Sequence, residues 1–212
     1  MQLIIFGASG ATGRLLTQQA LEAGHRVTAF VRNPASLQID HPLLTKLSGD
    51  ALDESAVREA VKGHDAVLSA LGSPANKIGT IRSQGTLNII KAMQHAGIRR
   101  LVVQTSLGYG DSKATLRRTP FVFRHIIVPF ILKKGFADHA LQETHVRNSG
   151  LDWVIVRPGN LTDGPLTENY RHGFAPDDNK IHVKVSRADV AHFMLQQIKS
   201  HAYLRQTPGV SY

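Results

Sequence analysis

Residues 3–13, LIIFGASGATG, run four consecutive apolar side chains into glycines at positions 7, 10 and 13. So short an apolar run, bounded by glycines, is the pattern of a strand buried on both faces of a sheet. After it, Leu15, Leu16, Ala20 and Ala23 recur at a helical period, and Gly24 supplies the stop. The glycines therefore lie in a strand-to-helix turn. There they permit a tight bend and close backbone approach, while free N–H groups and the helix dipole favour an anion such as a pyrophosphate. Gly7, Ser9, Gly10, Ala11, Thr12 and Gly13 are the expected cradle. Three spaced glycines also occur in turns that hold no ligand, so the surrounding pattern has to carry the assignment.

That pattern repeats along the chain. HRVTAFVR (25–32), LLTKLSGD (43–50), DAVLSALG (65–72), RRLVVQTS (99–106) and LDWVIVRPG (151–159) read as further strands. Helices are expected between them at 53–61, 80–95 and 138–147, the second closed by Gly97. Strands alternating with helices imply parallel crossovers and a doubly wound, Rossmann-type α/β sheet covered on both faces. No internal repeat or linker divides the 212 residues. One NAD(P)-binding domain over 1–212 is expected, with a basic and apolar insertion at 112–137. The last third is less regular. There Ser186 and Asp189 form an S-x-x-D capping box, opening a helix with Val190, Phe193, Met194 and Ile198 on one face.

In such a sheet the ligand lies beyond the carboxyl ends of the strands. The end of strand two, FVRNP, offers Arg32 and Asn33 and no acid before Asp40. An acid there would hold the ribose 2′-hydroxyl of NAD. An Arg suits the 2′-phosphate of NADP(H), unless it only covers the strand end. Asp50 and Ala51 follow strand three and are placed for the adenine. Ala70, Leu71, Gly72 and Ser73 follow strand four, beside the adenosine ribose.

Composition narrows the chemistry. Hydrophobic residues make up 42% and charged residues 19%, the balance of a globular protein. The absence of cysteine removes disulfides, zinc–thiolate sites and Cys nucleophiles, and the eleven histidines show no H-x-x-x-H spacing, so no metal is expected. The start MQLIIFGASG lacks the basic segment of a signal peptide, and no apolar run nears the ~18 residues that span a bilayer. A cytoplasmic protein is expected. The net charge of +9 invites a nucleic-acid reading, but no recognition-helix pattern or aromatic RNA-binding motif accompanies it. No nucleic-acid partner is expected.

Lys113, Arg117, Arg118, Arg124, Lys133 and Lys134 all fall within 112–137, with no acid among them. Phe121, Val122, His125, Ile126 and Pro129 share one side of that stretch at helical spacing, with a break near Pro129. Three readings stay open: a lid whose Arg117, Arg118 and Arg124 meet anionic groups, a dimer face, or a membrane-surface contact. A monomer and a homodimer are equally compatible with the sequence.

IFGASGATG, FVRNP, GDALD, DAVLSALG, VVQTS, SGLDWVIVRPG, PLTENY and VSRADVAHFML occur in the order seen in atypical short-chain dehydrogenases. The chain resembles their NAD(P)H-binding, NmrA-like group, and within it the biliverdin-IXβ reductase (flavin reductase) branch. The resemblance covers nearly the whole chain apart from the basic stretch after Tyr109. It implies a core that binds NADPH and delivers hydride to a planar acceptor such as a flavin or quinone. It also implies that Thr105 and Ser106 border the nicotinamide, with Pro158, Gly159 and Asn160 on the other side. The branch's His beside that Pro is replaced by Gly159, so its substrate preference does not carry over.

TSLGYGDSK, residues 105–113, sets Tyr109 and Lys113 four apart after a Ser. In carbonyl-reducing relatives the Tyr-x-x-x-Lys pair lies on the helix before strand six, and in extended-type relatives a Glu follows three residues later. With Glu143 as that Glu, the Tyr and Lys places hold Phe136 and Ala140. Tyr109 and Lys113 have the spacing too early, among Gly108, Gly110, Asp111 and Ser112, which favour turns. Tyr109 is open to three roles: proton donor, aromatic wall over the nicotinamide, or loop residue. Ser106 is open to two, hydrogen-bonding the acceptor or its own backbone.

Hydride transfer to a flavin or quinone needs no dedicated acid, because the ring spreads the charge and water supplies the proton. The expected function is an NADPH-dependent reductase of such acceptors. The alternatives are an NmrA-like NADP(H) sensor without turnover, and an epimerase-like or carbonyl-reducing enzyme working through Tyr109.

Overall fold

A computed structural model describes residues 1–73, 79–122, 124, 126, 128 and 133–212. The strands are β1 (Gln2–Phe6), β2 (Arg26–Val31), β3 (Leu44–Ser48), β4 (Ala66–Ser69), β5 (Arg100–Gln104) and β6 (Asp152–Pro158). With β8 (Arg171–His172) and β10 (Gly209–Ser211) they form an eight-stranded sheet in the order β3-β2-β1-β4-β5-β6-β10-β8. All pairings are parallel except β10 with β8 at the edge. The order reverses between β1 and β4, and a crevice at such a switch point is where open α/β sheets bind ligands.

The helices are α1 (Ala11–Glu22), α2 (Glu54–Val61), α3 (Ile81–Ala96), α4 (Lys133–Arg147) and α5 (Arg187–Gln196). Side chains of β1 alternate between two hydrophobic layers, Leu3 and Ile5 in one, Ile4 and Phe6 in the other. Leu16 and Ala20 of α1 and Phe193 and Met194 of α5 complete the first layer. Val57 of α2, Ile89 of α3 and Val146 of α4 complete the second. Each fully buried side chain of this size stabilises the fold by about 1.5–3 kcal/mol. The strand therefore works on both faces, which is why its sequence is a continuous apolar run.

Three expectations need adjusting. Helix α4 begins at Lys133, five residues ahead of the expected 138. Four short strands in the last third carried no sequence signal: β8, β10, and the parallel pair β7 (Asn160–Thr162) and β9 (Lys184–Ser186). Two or three residues cannot show a period, and their pairing partners are distant in sequence. The capping box is only half formed. Ser186 Oγ accepts from Asp189 N at 3.0 Å, but the Ser186 N–H donates to Tyr212 Oη at 3.1 Å. The Asp189 carboxylate instead accepts from Thr167 N (2.8 Å), Glu168 N (2.9 Å) and Tyr212 Oη (2.7 Å), tying the 167–168 turn and the C-terminus to α5.

Within the basic stretch, residues 110–118 form a 3-10 helix (Gly110–Arg118). Phe121, Val122 and Ile126 are exposed. His125 and Pro129, with the break expected there, lie outside the described residues.

Candidate functional site

The carboxyl ends of the strands open onto one cleft of about 1020 Å³. Its floor is the turn after β1, where Gly7, Ser9, Gly10, Ala11 and Thr12 line the wall. Gly7 takes φ +78°, and a Cβ there would lie 2.5 Å from the Ala70 carbonyl oxygen. Gly13 sits behind the turn, off the cleft wall, where a Cβ would meet the Gly7 carbonyl oxygen at 2.1 Å. Its role is to let α1 approach the turn. Gly10 heads α1 with no side-chain cap, and the first turn holds no acid. Several helix N–H groups are thereby left to a ligand, at the positive end of the dipole.

The other strand ends fall where the topology places them. Arg32 after β2, Asp50 and Ala51 after β3, and Ala70, Leu71, Gly72 and Ser73 after β4 all line the cleft. Asn33 does not. Its Oδ1 accepts from Ala35 N at 3.1 Å, capping the short 3-10 turn Pro34–Ser36, so the Asn33 side chain, expected at the cofactor, is turned to its own backbone. Past the end of β5, Thr105 N donates to Val156 O at 2.8 Å and Leu107 N to Pro158 O at 2.9 Å. These bonds hold Thr105 and Ser106 against Pro158, and all of them, with Gly159 and Asn160, border the cleft. Ser106 Oγ donates to the neighbouring Leu107 carbonyl at 3.0 Å.

Tyr109 lies elsewhere. It is 8% exposed and off the cleft wall, and its hydroxyl donates to Glu143 Oε1 at 2.5 Å. Thr105 Oγ1 (2.8 Å) and Arg157 Nε (2.8 Å) donate to the same oxygen, and Arg157 Nη2 (2.5 Å) to the other. Arg157 also bonds Asp111 and stands over the Tyr109 ring, 5.7 Å from its centroid. Burial, reinforced by the Glu143 carboxylate, pushes the phenol well above its ordinary range. Of the three roles open to Tyr109, the buried hydroxyl's bond to Glu143 disfavours the proton donor, and its place off the cleft disfavours the wall over the nicotinamide. The ring packs behind Phe136 (5.4 Å between centroids) and His139 (5.9 Å), and these two make the wall.

Sequence reasoning considered Phe136 but missed His139, three residues on and so on the same face of α4. Gln142 Nε2 donates to Thr86 Oγ1 at 3.0 Å, leaving Oε1 to accept from His139 Nδ1 at 3.1 Å. The proton thus sits on Nδ1, and Nε2 keeps its lone pair. Burial, then the Arg82 charge, pushes the imidazole down to about 4. The unfolded chain would bind a proton near pH 6.5 that the folded chain refuses until about pH 4. This contribution to stability is complete above pH 6.5 and is lost as pH falls towards 4, by up to about 3 kcal/mol. Urea unfolding at pH 7 and 4.5 should show that loss, and His139→Phe should flatten it.

Arg82 also faces the cleft, with Nη1 donating to Ser73 Oγ at 3.1 Å. The start of α3 is closed from outside by Asp138 of α4, whose carboxylate accepts from Arg82 N (3.2 Å), Ser83 N (3.0 Å) and Ser83 Oγ (2.5 Å). Arg118, Lys184 and Arg187 also line the cleft. Of these, only Arg118 had been singled out from sequence.

Strand order, glycine turn and uncapped α1 define a Rossmann-type dinucleotide-binding protein. The NAD(P)H-binding family model matches residues 7–201, and the chain belongs to that family, within the atypical short-chain dehydrogenases. It is 27% identical over 208 residues to the uncharacterised protein YwnB of Bacillus subtilis, covering 94% of this chain and 92% of that one. With the photosystem II assembly factor Ycf39 of Synechocystis the identity is 24%, over 98% of this chain and 61% of the other.

Among solved structures, the anaerobilin reductase ChuY of Escherichia coli O157:H7 superposes with a TM-score of 0.77 at 24% identity, over 100% of this chain and 97% of that one. A short-chain dehydrogenase of Veillonella parvula in complex with NADP gives a TM-score of 0.77 at 19% identity, over 100% and 94%. These likenesses establish the fold; the family establishes an oxidoreductase-type protein with a nicotinamide cofactor. No described helix is long and apolar enough to cross a membrane.

Proposed function

We propose that the chain is an NADPH-dependent reductase of planar conjugated acceptors such as flavins or quinones. The observation that carries this reading is the α4 wall. Where carbonyl-reducing relatives keep a phenol and an ammonium, it holds Phe136 and the exposed Ala140, and the neutral imidazole of His139 stands between them in sequence. The one phenol nearby is committed to Glu143.

The residues fit the cofactor. The Gly7 turn leaves no room for a Cβ, the α1 N-terminus is uncapped, and Arg32 stands exposed without an ion-pair partner among the described residues. Gly7, Ser9, Gly10, Ala11 and Thr12 would hold the pyrophosphate, and Arg32 the 2′-phosphate. Thr105, Ser106, Pro158, Gly159 and Asn160 would frame the nicotinamide. When bound, NADPH supplies the hydride. The chain's own part is orientation and dryness: Phe136 and Leu116 present apolar surface to the acceptor, and Ser106 Oγ is free to turn from Leu107 to an acceptor carbonyl. His139 Nε2 offers a lone pair, and the neutral ring is an acceptor there and not an acid.

Beyond Ser106 the cleft continues to Arg118, Pro120 and Lys184, room that an NADP(H) sensor without turnover does not need. NADPH oxidation followed with FMN, a quinone and an aldehyde tests the reading. Turnover is expected with the first two and not the third; binding of NADPH with no turnover on any acceptor overturns it. Tyr109→Phe should keep kcat within about threefold while losing about 1.5–3 kcal/mol of stability, the worth of a hydrogen bond to a charged group. A fall in kcat by orders of magnitude would restore the phenol as an acid.

A further inference from the structure

Besides Arg32 and Arg82, further positive charge lines the cleft from the end of the 3-10 helix and from residues after β7. Arg118 at the end of the 3-10 helix, His182, Lys184 at the start of β9 and Arg187 at the start of α5 all line it. Among the described lining residues the one acid is Asp50, which follows β3 on the adenine side. Arg187 is paired with exposed Asp163 at 2.5 Å. Arg118 and Lys184 have no ion-pair partner among the described residues, and both are exposed to the cleft.

The placement of Lys184 is built into the backbone. Asn160 lies opposite Lys184 in the β7–β9 register, and Asn160 N donates to Val183 O at 2.8 Å. Val183 takes φ +50°, which a β-branched residue avoids. A Cβ on Gly159 would lie 2.6 Å from the Val183 carbonyl carbon, so only a glycine permits the approach. Strained backbone held in place by its surroundings concentrates at ligand sites. Here it holds the backbone of Lys184, a lining residue without an ion-pair partner among the described residues, opposite Asn160. The cleft walls restrict solvent, so like charges there raise the local concentration of an anion.

We infer that the acceptor is itself anionic: its ring lies past Ser106, and a carboxylate or phosphate on its side arm meets Lys184 and Arg118. This rests on the reductase reading and adds the charge class of the substrate. FMN and riboflavin separate the two ideas, because they share one ring and differ by a phosphate. For the NADPH-loaded protein, KM for FMN should lie about tenfold or more below KM for riboflavin, and the gap should narrow with added salt. Lys184→Ala and Arg118→Ala should each bring the ratio towards one, with Kd for NADPH unchanged. Lys62→Ala, which removes a charge from an exposed ion pair remote from the cleft, should leave the ratio as it was.

Flavin fluorescence quenching in the NADP⁺ complex reads the same preference without turnover, so it decides the charge class even if the reductase reading fails. Equal affinity for FMN and riboflavin overturns the inference. So does a Lys184→Ala variant that weakens NADPH and leaves the flavin ratio intact, since the ammonium would then serve the cofactor.

Discussion

Glu143→Ala is expected to cost about 3–5 kcal/mol of stability, because it removes the buried partner of the Arg157 guanidinium and leaves it only the exposed Asp111. For a chain of this size that is a fall in Tm of about 6–20 °C. The carboxylate is the common acceptor for strand β5 through Thr105, for the following loop through Tyr109, and for β6 through Arg157. Its loss should therefore also loosen the Thr105–Ser106 edge of the cleft and raise KM for the acceptor. Glu143→Gln, which keeps an acceptor for the two hydroxyls, should fall between wild type and Ala. A loss under about 1 kcal/mol for the Ala variant would mean that Arg157 is satisfied without it.

The same group gives an acid limb. Burial alone would raise the Glu143 carboxyl, but Arg157, Tyr109 and Thr105 together hold it below the ordinary range. A carboxyl depressed in the folded state stabilises fully above its unfolded value of about 4.3 and loses that contribution as pH falls through the folded one. Thermal scans from pH 6 downward should show the wild type converging on Glu143→Ala below about pH 4.

Arg32→Ala is the second large effect, and it is one of selectivity. A charge-assisted bond to a phosphate is worth about 1.5–3 kcal/mol, or about ten- to a hundred-fold in Kd. NADPH affinity should fall by that factor while NADH affinity stays level. Isothermal titration with both cofactors reads it directly. A wild type that prefers NADH, or an Arg32→Ala variant that holds NADPH undiminished, would end the assignment of Arg32 to the 2′-phosphate.

The inner strands among the first six were legible because a parallel strand buried on both faces must be largely apolar, as Leu3, Ile4, Ile5 and Phe6 are. That reason does not extend to the exposed edge strand β3. The near wall of the cleft was legible for a related reason. Once the strand order is known, residues after each strand have one place to go, and Arg32, Asp50, Ser73 and Ser106 went there. The far wall was not. Lys184 reaches the cleft through a three-residue strand whose partner, Asn160, is 24 positions away, and no local pattern announces that pairing. Tyr109 misled in the opposite sense. A Tyr and a Lys four apart imitate a catalytic pair, whereas the hydroxyl's fate depended on Glu143, 34 residues on. His139 was within reach, since three residues from Phe136 on one helix is a shared face.

The Asp138 carboxylate at the start of α3 bears on where in the cleft a long anion lies. Two helix starts, those of α1 and α3, border the cleft through Ala11 and through Ile81 and Arg82. With the backbone N–H groups of the second already met by a carboxylate from α4, the first is the helix start whose N–H groups are left for a diphosphate. The diphosphate of a dinucleotide would thus be directed to the glycine turn, by an acid that need never touch it.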